Sequence, residues 1–245
     1  MQGLEDWLST PLGAYVLQKE QAYFDHAVRD IFGFHAVQYG FASQDLLREN
    51  RMPKRWRVGM ESVAEVCCAA EHLPFASQSV DLLLLPHVLD CSAHPHQVLR
   101  EAERVLRPEG RVLISGFNPY SLWGMRRAFQ RGRGQPWQAN FLSLRRIKDW
   151  LALLGLAPCG GAFMCYAPPL LQSSHLARCQ FMEDAGDRWW PAGAGIYGIE
   201  AVKRVHSLRL LKPAWRNLSS VRVAPAIKTR PASVCHQQDS DVQSE

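Results

Sequence analysis

The apolar positions of this chain change period several times, and each change predicts an element. Over residues 1–30, Leu4, Trp7, Leu8, Leu12, Tyr15 and Leu17 are interspersed with charges, a helical pattern. Thr10 before Pro11 is a natural helix start, because proline suits the first turn. A second helical run from Leu17 to Phe32 stops at Gly33. Residues 34–40 then alternate and end in Gly40, which predicts a strand. Ser43 to Asn50 reads as a short helix capped by Ser43. Trp56 to Met60 and Ala64 to Ala69 read as two weaker strands.

The strongest signal follows. Val80 to Pro86 is a near-continuous apolar run, as expected of a central parallel strand covered on both faces. From His94 to Leu106, Val98, Leu99, Ala102, Val105 and Leu106 recur at helical spacing. Arg107-Pro108-Glu109-Gly110 predicts a turn, and Arg111 to Phe117 a second buried strand. Together these form a right-handed βαβ unit. Leu144 to Leu154 is a further amphipathic helix, stopped by Gly155, and residues 157–166 and 195–205 read as late strands. Seven strands alternating with helices predict an α/β fold with a doubly wound, mostly parallel sheet. The expected organisation is a helical extension over 1–33, a main domain over 34–206, and a flexible tail over 207–245 that is polar, basic and scattered with prolines.

Composition narrows the function classes. The 245 residues are 47% hydrophobic and 21% charged, enough to bury one sizeable core. No stretch reaches the ~18 apolar residues of a membrane span. Glu5 and Asp6 stand where a basic leader would be needed, so a cytosolic, bacterial-style protein is expected. Seven cysteines without CxxC spacing argue against both a disulfide framework and a zinc site. His87, His94 and His96 lack a carboxylate or cysteine at ligand spacing, so no metal is expected. The net charge of +5 resides in residues 203–245, with eight basic and three acidic residues. The remainder holds 20 of each, which makes nucleic-acid binding by the folded body unlikely.

The segment from Glu71 through Leu73-Pro74-Phe75 to Val80-Asp81-Leu82-Leu83-Leu84-Leu85-Pro86-His87 resembles the type 11 group of class I methyltransferases. That group has an LPF turn, a spacer, and an apolar strand opening with Asp. The resemblance continues through Val98 to Ser115, where Arg104-Val105-Leu106-Arg107-Pro108-Glu109-Gly110 is similar to the family's helix-to-strand turn, with Glu109 in place of a glycine. It covers about residues 34–118. The resemblance implies a Rossmann-like fold and S-adenosylmethionine as cofactor. The ligand would lie outside the carboxyl ends of the strands, near the reversal of strand order. Gln38 and Gly40 would meet its amino-acid end. Glu71, His72 and Leu73 would meet its adenine, and Pro86 and His87 its methionine part.

The first motif departs from the family. An acid followed by a GxG turn is expected, whereas the chain has Val37-Gln38-Tyr39-Gly40-Phe41-Ala42-Ser43. Replacing a charged partner of an ammonium group by an amide weakens the grip by about 1.5–3 kcal/mol. Glu61 is the nearest acid to the end of the second strand. No catalytic residue stands out, and methyl transfer to a nucleophilic acceptor needs mainly proximity and alignment.

Residues 117–148 carry seven basic side chains, no acid, and interleaved Tyr120, Trp123, Phe129, Trp137 and Phe141. This reads as a cap over the acceptor site, suited to an anionic, aromatic or amphipathic small molecule, or touching anionic lipid. The favoured reading is a methyltransferase acting on a small-molecule acceptor. One alternative is a non-catalytic binding or regulatory protein of the same fold; another is an RNA methyltransferase using cap and tail.

Overall fold

The computed structural model describes residues 2–61, 63–130, 134–169, 183, 186, 188 and 190–204. The expected tail, 207–245, lies outside them.

Two helices open the chain, α1 (Gln2–Leu8) and α2 (Pro11–Arg29). The Thr10 side chain accepts the Gly13 N–H at 3.1 Å and caps α2, as its place before Pro11 predicted. Gly13 permits the tight corner between the helices, since a Cβ there would sit 2.2 Å from the Trp7 carbonyl oxygen. The buried stripe of α2 is Leu12, Val16, Glu20, Phe24 and Val28, every fourth residue, with one carboxylate among the apolar side chains.

Seven strands form one sheet: β1 (His35–Tyr39), β2 (Lys54–Gly59), β3 (Val66–Cys67), β4 (Val80–Pro86), β5 (Leu106–Phe117), β6 (Leu156–Met164) and β7 (Ile196–Lys203). Their order is β3-β2-β1-β4-β5-β7-β6. The first five are parallel, and β7 runs antiparallel between β5 and β6. Both faces of β4 are covered, which explains its unbroken apolar run. Leu82 and Leu84 join a core with α1, α2 and Ala36, while Leu83 and Leu85 face the opposite core. That second core receives Val98, Leu99, Ala102 and Val105 of α4 (Pro95–Val105), and Ile147 and Leu151 of α6 (Leu144–Leu153). A short α3 (Val88–Cys91) follows β4, and α5 (Leu122–Gln130) follows β5. Residues 2–29 are therefore part of the main hydrophobic core.

Asp81, the one polar residue of β4, accepts the Phe34 and His35 N–H groups at 2.8 and 3.0 Å and pins the entry to β1. Among the described residues, no helix is long and apolar enough to cross a membrane.

Two local expectations are corrected. Residues 43–50 form successive turns and no helix. The Leu46 N–H goes to the Gln38 side chain, and Asn50 turns its amide to the Val28 and Ile31 carbonyls, so side chains replace helical bonds. The Arg107-Pro108-Glu109-Gly110 turn is absorbed into β5. Between Val80↔Leu106 and Leu82↔Arg111 the register slips, and Glu109 takes φ 64° in the resulting bulge.

Candidate functional site

Strand order reverses between β1 and β4, so the crevice at their carboxyl ends is where such sheets bind ligands. Gly40 (φ 79°) turns the chain out of β1, and its N–H donates to the Val58 carbonyl at 2.7 Å. Phe41 follows at φ 49°, fully buried.

Gln38 is fully buried, and its amide holds this loop together. Its NH2 group donates to the carbonyls of Gly40, Phe41 and Gln44 at 3.1, 3.0 and 2.8 Å, while Oε1 accepts the Leu46 N–H at 3.0 Å. Both its amide hydrogens are used inside the chain. Three carbonyls need a donor, which a carboxylate lacks, and this is a physical reason for Gln where the family's motif has an acid.

Beside the loop, Glu61 follows the end of β2 with 8% of its surface exposed, and its Oε2 has no hydrogen-bond partner. The Glu5 carboxyl of α1 lies beside Glu61 and near the Ala42 backbone. Burial, then the hydrogen bond and charge of Glu61, push the Glu5 carboxyl up to about 7. The space left between α1, α2 and the loop is a cavity of about 140 Å³ lined by Glu5, Leu8, Leu17, Phe41, Ser43 and Gln44. Small-molecule pockets usually measure about 300–1,000 Å³. At this end of β1 and β2, α1 and α2 therefore lie over the loop, with Glu5 and Glu61 beneath them.

The 71–75 turn is strapped to α4. Leu73 is buried; its N–H donates to Glu101 at 2.8 Å, and Arg104 donates to the Leu73 and Phe75 carbonyls at 3.1 and 2.9 Å. Glu71 accepts the Ser92 hydroxyl at 2.7 Å, and His72 is exposed. The backbone groups of Leu73 are therefore committed to α4, which leaves its side chain as the part available to line a site.

Pro86 ends β4 and His87 turns away at φ 52°, 1% exposed. Its Nδ1 lies 2.9 Å from Asp90 Oδ2, and its Nε2 makes an ion pair at 3.0 Å with Glu20 Oε1. Asp90 also accepts the Phe117 N–H at 2.9 Å. The rings of Phe41 and Phe117 flank the imidazole, with centroids 6.1 and 4.1 Å away. Burial alone would lower the His87 pKa, but the Glu20 charge and the hydrogen bonds to Asp90 and Glu20 outweigh it and raise it to about 10. Burial likewise raises the Asp90 carboxyl. The two carboxyl groups thus favour the protonated imidazole, a form that suits holding the loop together better than accepting a proton.

The other side of the rim is aromatic. Phe117 stacks on Phe141 at 4.8 Å and on Trp123 at 6.2 Å, and Trp7 of α1 meets Phe117 edge-on. Arg126 and Arg127 stand over Trp137 and Phe141, 5.2 and 5.1 Å from the ring centres. Asn118 donates to the Ala192 and Ala194 carbonyls at 2.8 and 2.9 Å, closing the end of β5 against β7. Arg131 and Arg133 of the expected cap lie outside the described residues.

Of the residues expected from sequence, Gln38, Gly40 and His87 meet around Phe41, whereas Glu71, His72 and Leu73 form a separate wall held by α4. Sequence reasoning missed Glu5, Glu20 and Asp90. Glu20 had a readable signal: a lone carboxylate in the middle of an every-fourth-residue apolar stripe. Glu5 and Asp90 gave none, because their partners are distant in sequence or across a tight turn.

Comparison with known proteins agrees with this geometry. Residues 35–114 match a methyltransferase domain family. The uncharacterized protein YafS of Escherichia coli is 34% identical over 151 residues, spanning 60% of this chain and 63% of that protein. A malonyl-[acyl-carrier protein] O-methyltransferase of Laribacter hongkongensis is 30% identical over 112 residues, spanning 45% of this chain and 38% of the enzyme. This chain thus covers under two thirds of either relative. Among solved structures, a SAM-dependent methyltransferase of Thermotoga maritima, a possible histamine N-methyltransferase, superposes with a TM-score of 0.57. It is 15% identical, and the match covers 75% of this chain and 89% of that one. A Haloferax volcanii putative methyltransferase complex gives a TM-score of 0.61 at 14% identity, over 84% of this chain and 98% of the other.

Sheet order and these superpositions define the class I S-adenosylmethionine-dependent methyltransferase fold. Within that fold, residues 35–114 are the stretch that matches the methyltransferase domain family.

Proposed function

We propose that the protein is an S-adenosylmethionine-dependent methyltransferase with a small-molecule acceptor. The observation that carries this reading is the pair of carboxyl groups at the strand-order reversal, where buried Glu61, its Oε2 short of a well-formed hydrogen bond, faces Glu5 beside the Gly40 turn. A buried unpartnered carboxylate oxygen is costly unless something bonds it, and a ligand's hydroxyl groups suit it. The donor set fits the cofactor. Gly40 and the 41–43 loop would lie under its amino-acid end, Glu61 at its ribose, and Glu71, His72 and Leu73 at its adenine edge. Pro86 and His87 would border its methionine part, with Gln38 acting through the loop it braces.

When bound, the cofactor supplies a methyl group on a positively charged sulfur. The chain's own part is to bind, align and exclude water. The Glu61 carboxylate suits a ligand that carries hydroxyl groups and positive charge, and the α1 cover limits access of solvent. The cavity beneath α1 is smaller than such a ligand requires, so on this reading α1 moves on binding and takes Glu5 away from Glu61. The aromatic rim of Phe117, Trp123 and Phe141 borders the acceptor side.

One observation favours a second reading, a non-catalytic protein of this fold: Glu5 lies against Glu61 and near the Ala42 backbone, and the cavity beneath α1 is only about 140 Å³. Calorimetric titration with S-adenosylhomocysteine separates the two. Micromolar binding by the wild type, lost in Glu61→Ala, is the expected result. Absence of binding at millimolar ligand would overturn the methyltransferase reading.

A further inference from the structure

The acceptor side of the rim carries an apolar surface that the reaction does not explain. The inner face of α5 is anchored by buried Trp123, whose indole N–H donates to the Ala167 carbonyl at 3.0 Å. Its outer face presents Met125 and Phe129, four residues apart and 54% and 81% exposed. Tyr120, on the turn before the helix, is 75% exposed. Asn118 bonds Ala192 and Ala194, which brings the neighbouring Trp190, 59% exposed, to the same rim. Four of the nine large apolar side chains exposed among the described residues therefore come from three short segments at one end of the sheet. Scattered single apolar residues need no explanation, but a cluster does.

The charge around the α5 part of this cluster has one sign. The sequence from Phe117 to Lys148 holds seven Arg and Lys and no acid. Arg145 and Arg146 are exposed at the start of α6. The Asn140 N–H, bonded to the Asp90 carbonyl at 2.7 Å, fixes the chain leading to α6 at the carboxyl end of β4. Tyr, Trp, Phe and Met protruding beside arginines is the composition that suits a headgroup boundary. Neither the aromatic spacing nor the separate segments form a groove for one peptide, whereas a fluid bilayer accommodates irregular protrusions.

We propose that this rim, built from Tyr120, Met125, Phe129 and Trp190 with Arg145 and Arg146, docks on a bilayer containing anionic phospholipid. If the methyltransferase reading also holds, the acceptor is an amphiphile delivered from that bilayer to the end of β5. The surface itself is tested without the reaction, so failure of one is distinguishable from failure of the other.

The test is co-sedimentation of the full chain with vesicles of phosphatidylcholine alone, or of phosphatidylcholine and phosphatidylglycerol in equal parts. The expected result is binding to the mixed vesicles that falls with added salt, with little to phosphatidylcholine. Met125→Asp with Phe129→Asp should weaken it by about tenfold or more, at unchanged melting temperature, because both side chains are exposed. Arg145→Glu with Arg146→Glu should weaken it and flatten its salt dependence. Equal binding by the Met125→Asp/Phe129→Asp variant, which would locate the contact elsewhere in the chain, overturns the proposal. So does binding to poly(U) RNA with none to the mixed vesicles.

Discussion

The two halves of the rim are built on opposite plans. On the β1–β2 side, α1 and α2 lie over the strand ends and carry Glu5 and Glu20 inward to Glu61 and His87, so Glu20, Glu61 and His87 are buried and Glu5 is half-buried. On the β5 side, α5 buries Trp123 and turns Met125 and Phe129 outward amid positive charge. The same sheet edge thus offers an acidic interior suited to a cationic ligand, and a basic, apolar exterior suited to an anionic amphiphilic surface. Buried charges demand partners, and this makes the first half rigid and sensitive to single substitutions. Exposed side chains of the second half tolerate change in stability and act only when something meets them.

The sharpest test of that contrast is removal of a buried partner. Glu20→Ala leaves the His87 imidazolium short of one carboxylate and should destabilise the fold by about 3–5 kcal/mol, read from urea unfolding. Because the folded pKa of His87 is raised to about 10 from 6.5, the stability it contributes is complete below about pH 6.5 and disappears as pH rises through about 10. The gap between wild type and variant should therefore narrow between pH 7 and 10; a constant gap would argue against a charged His87.

Gln38→Glu comes next. It restores the acid of the family's motif yet sets a carboxylate against three carbonyls, and should cost about 2–3 kcal/mol. A variant as stable as the wild type, binding S-adenosylhomocysteine more tightly, would show that the loop refolds around an acid.

Glu5 tests the β1–β2 side through pH. Its carboxyl is raised, so the α1 contact is fully present below about pH 4.5 and is lost as pH rises through about 7. S-adenosylhomocysteine affinity should then rise about fivefold from pH 6 to 8 in the wild type, and stay flat in Glu5→Gln, which keeps the neutral contact. A flat wild-type profile would detach α1 from ligand entry. Smallest in effect, Thr10→Ala removes the α2 cap and should lower stability by about 1 kcal/mol without changing vesicle binding.

Much of this was legible from sequence where one local rule dominated. Val80–Pro86 could only be a doubly covered strand, the stripe of α4 only a helix packed on one face, and Thr10-Pro11 a helix start. Residues 43–50 went astray because Gln38, five residues before them, offers its amide in place of helical bonds, a choice invisible to local propensity. Gln38 itself looked like a worn ligand contact; only its three carbonyl partners reveal a brace.

The sequence by itself determined the order of strands and helices, hence the class of fold and the place of the crevice, because periodicity and turn chemistry act over a few residues. Tertiary structure alone decided that α1 lies over that crevice, that Glu20 and Asp90 hold a proton on His87, and that Trp190 joins Tyr120 at the rim. Each of these depends on burial and on charges meeting across long stretches of chain, and the strength of such meetings is set by the water they exclude.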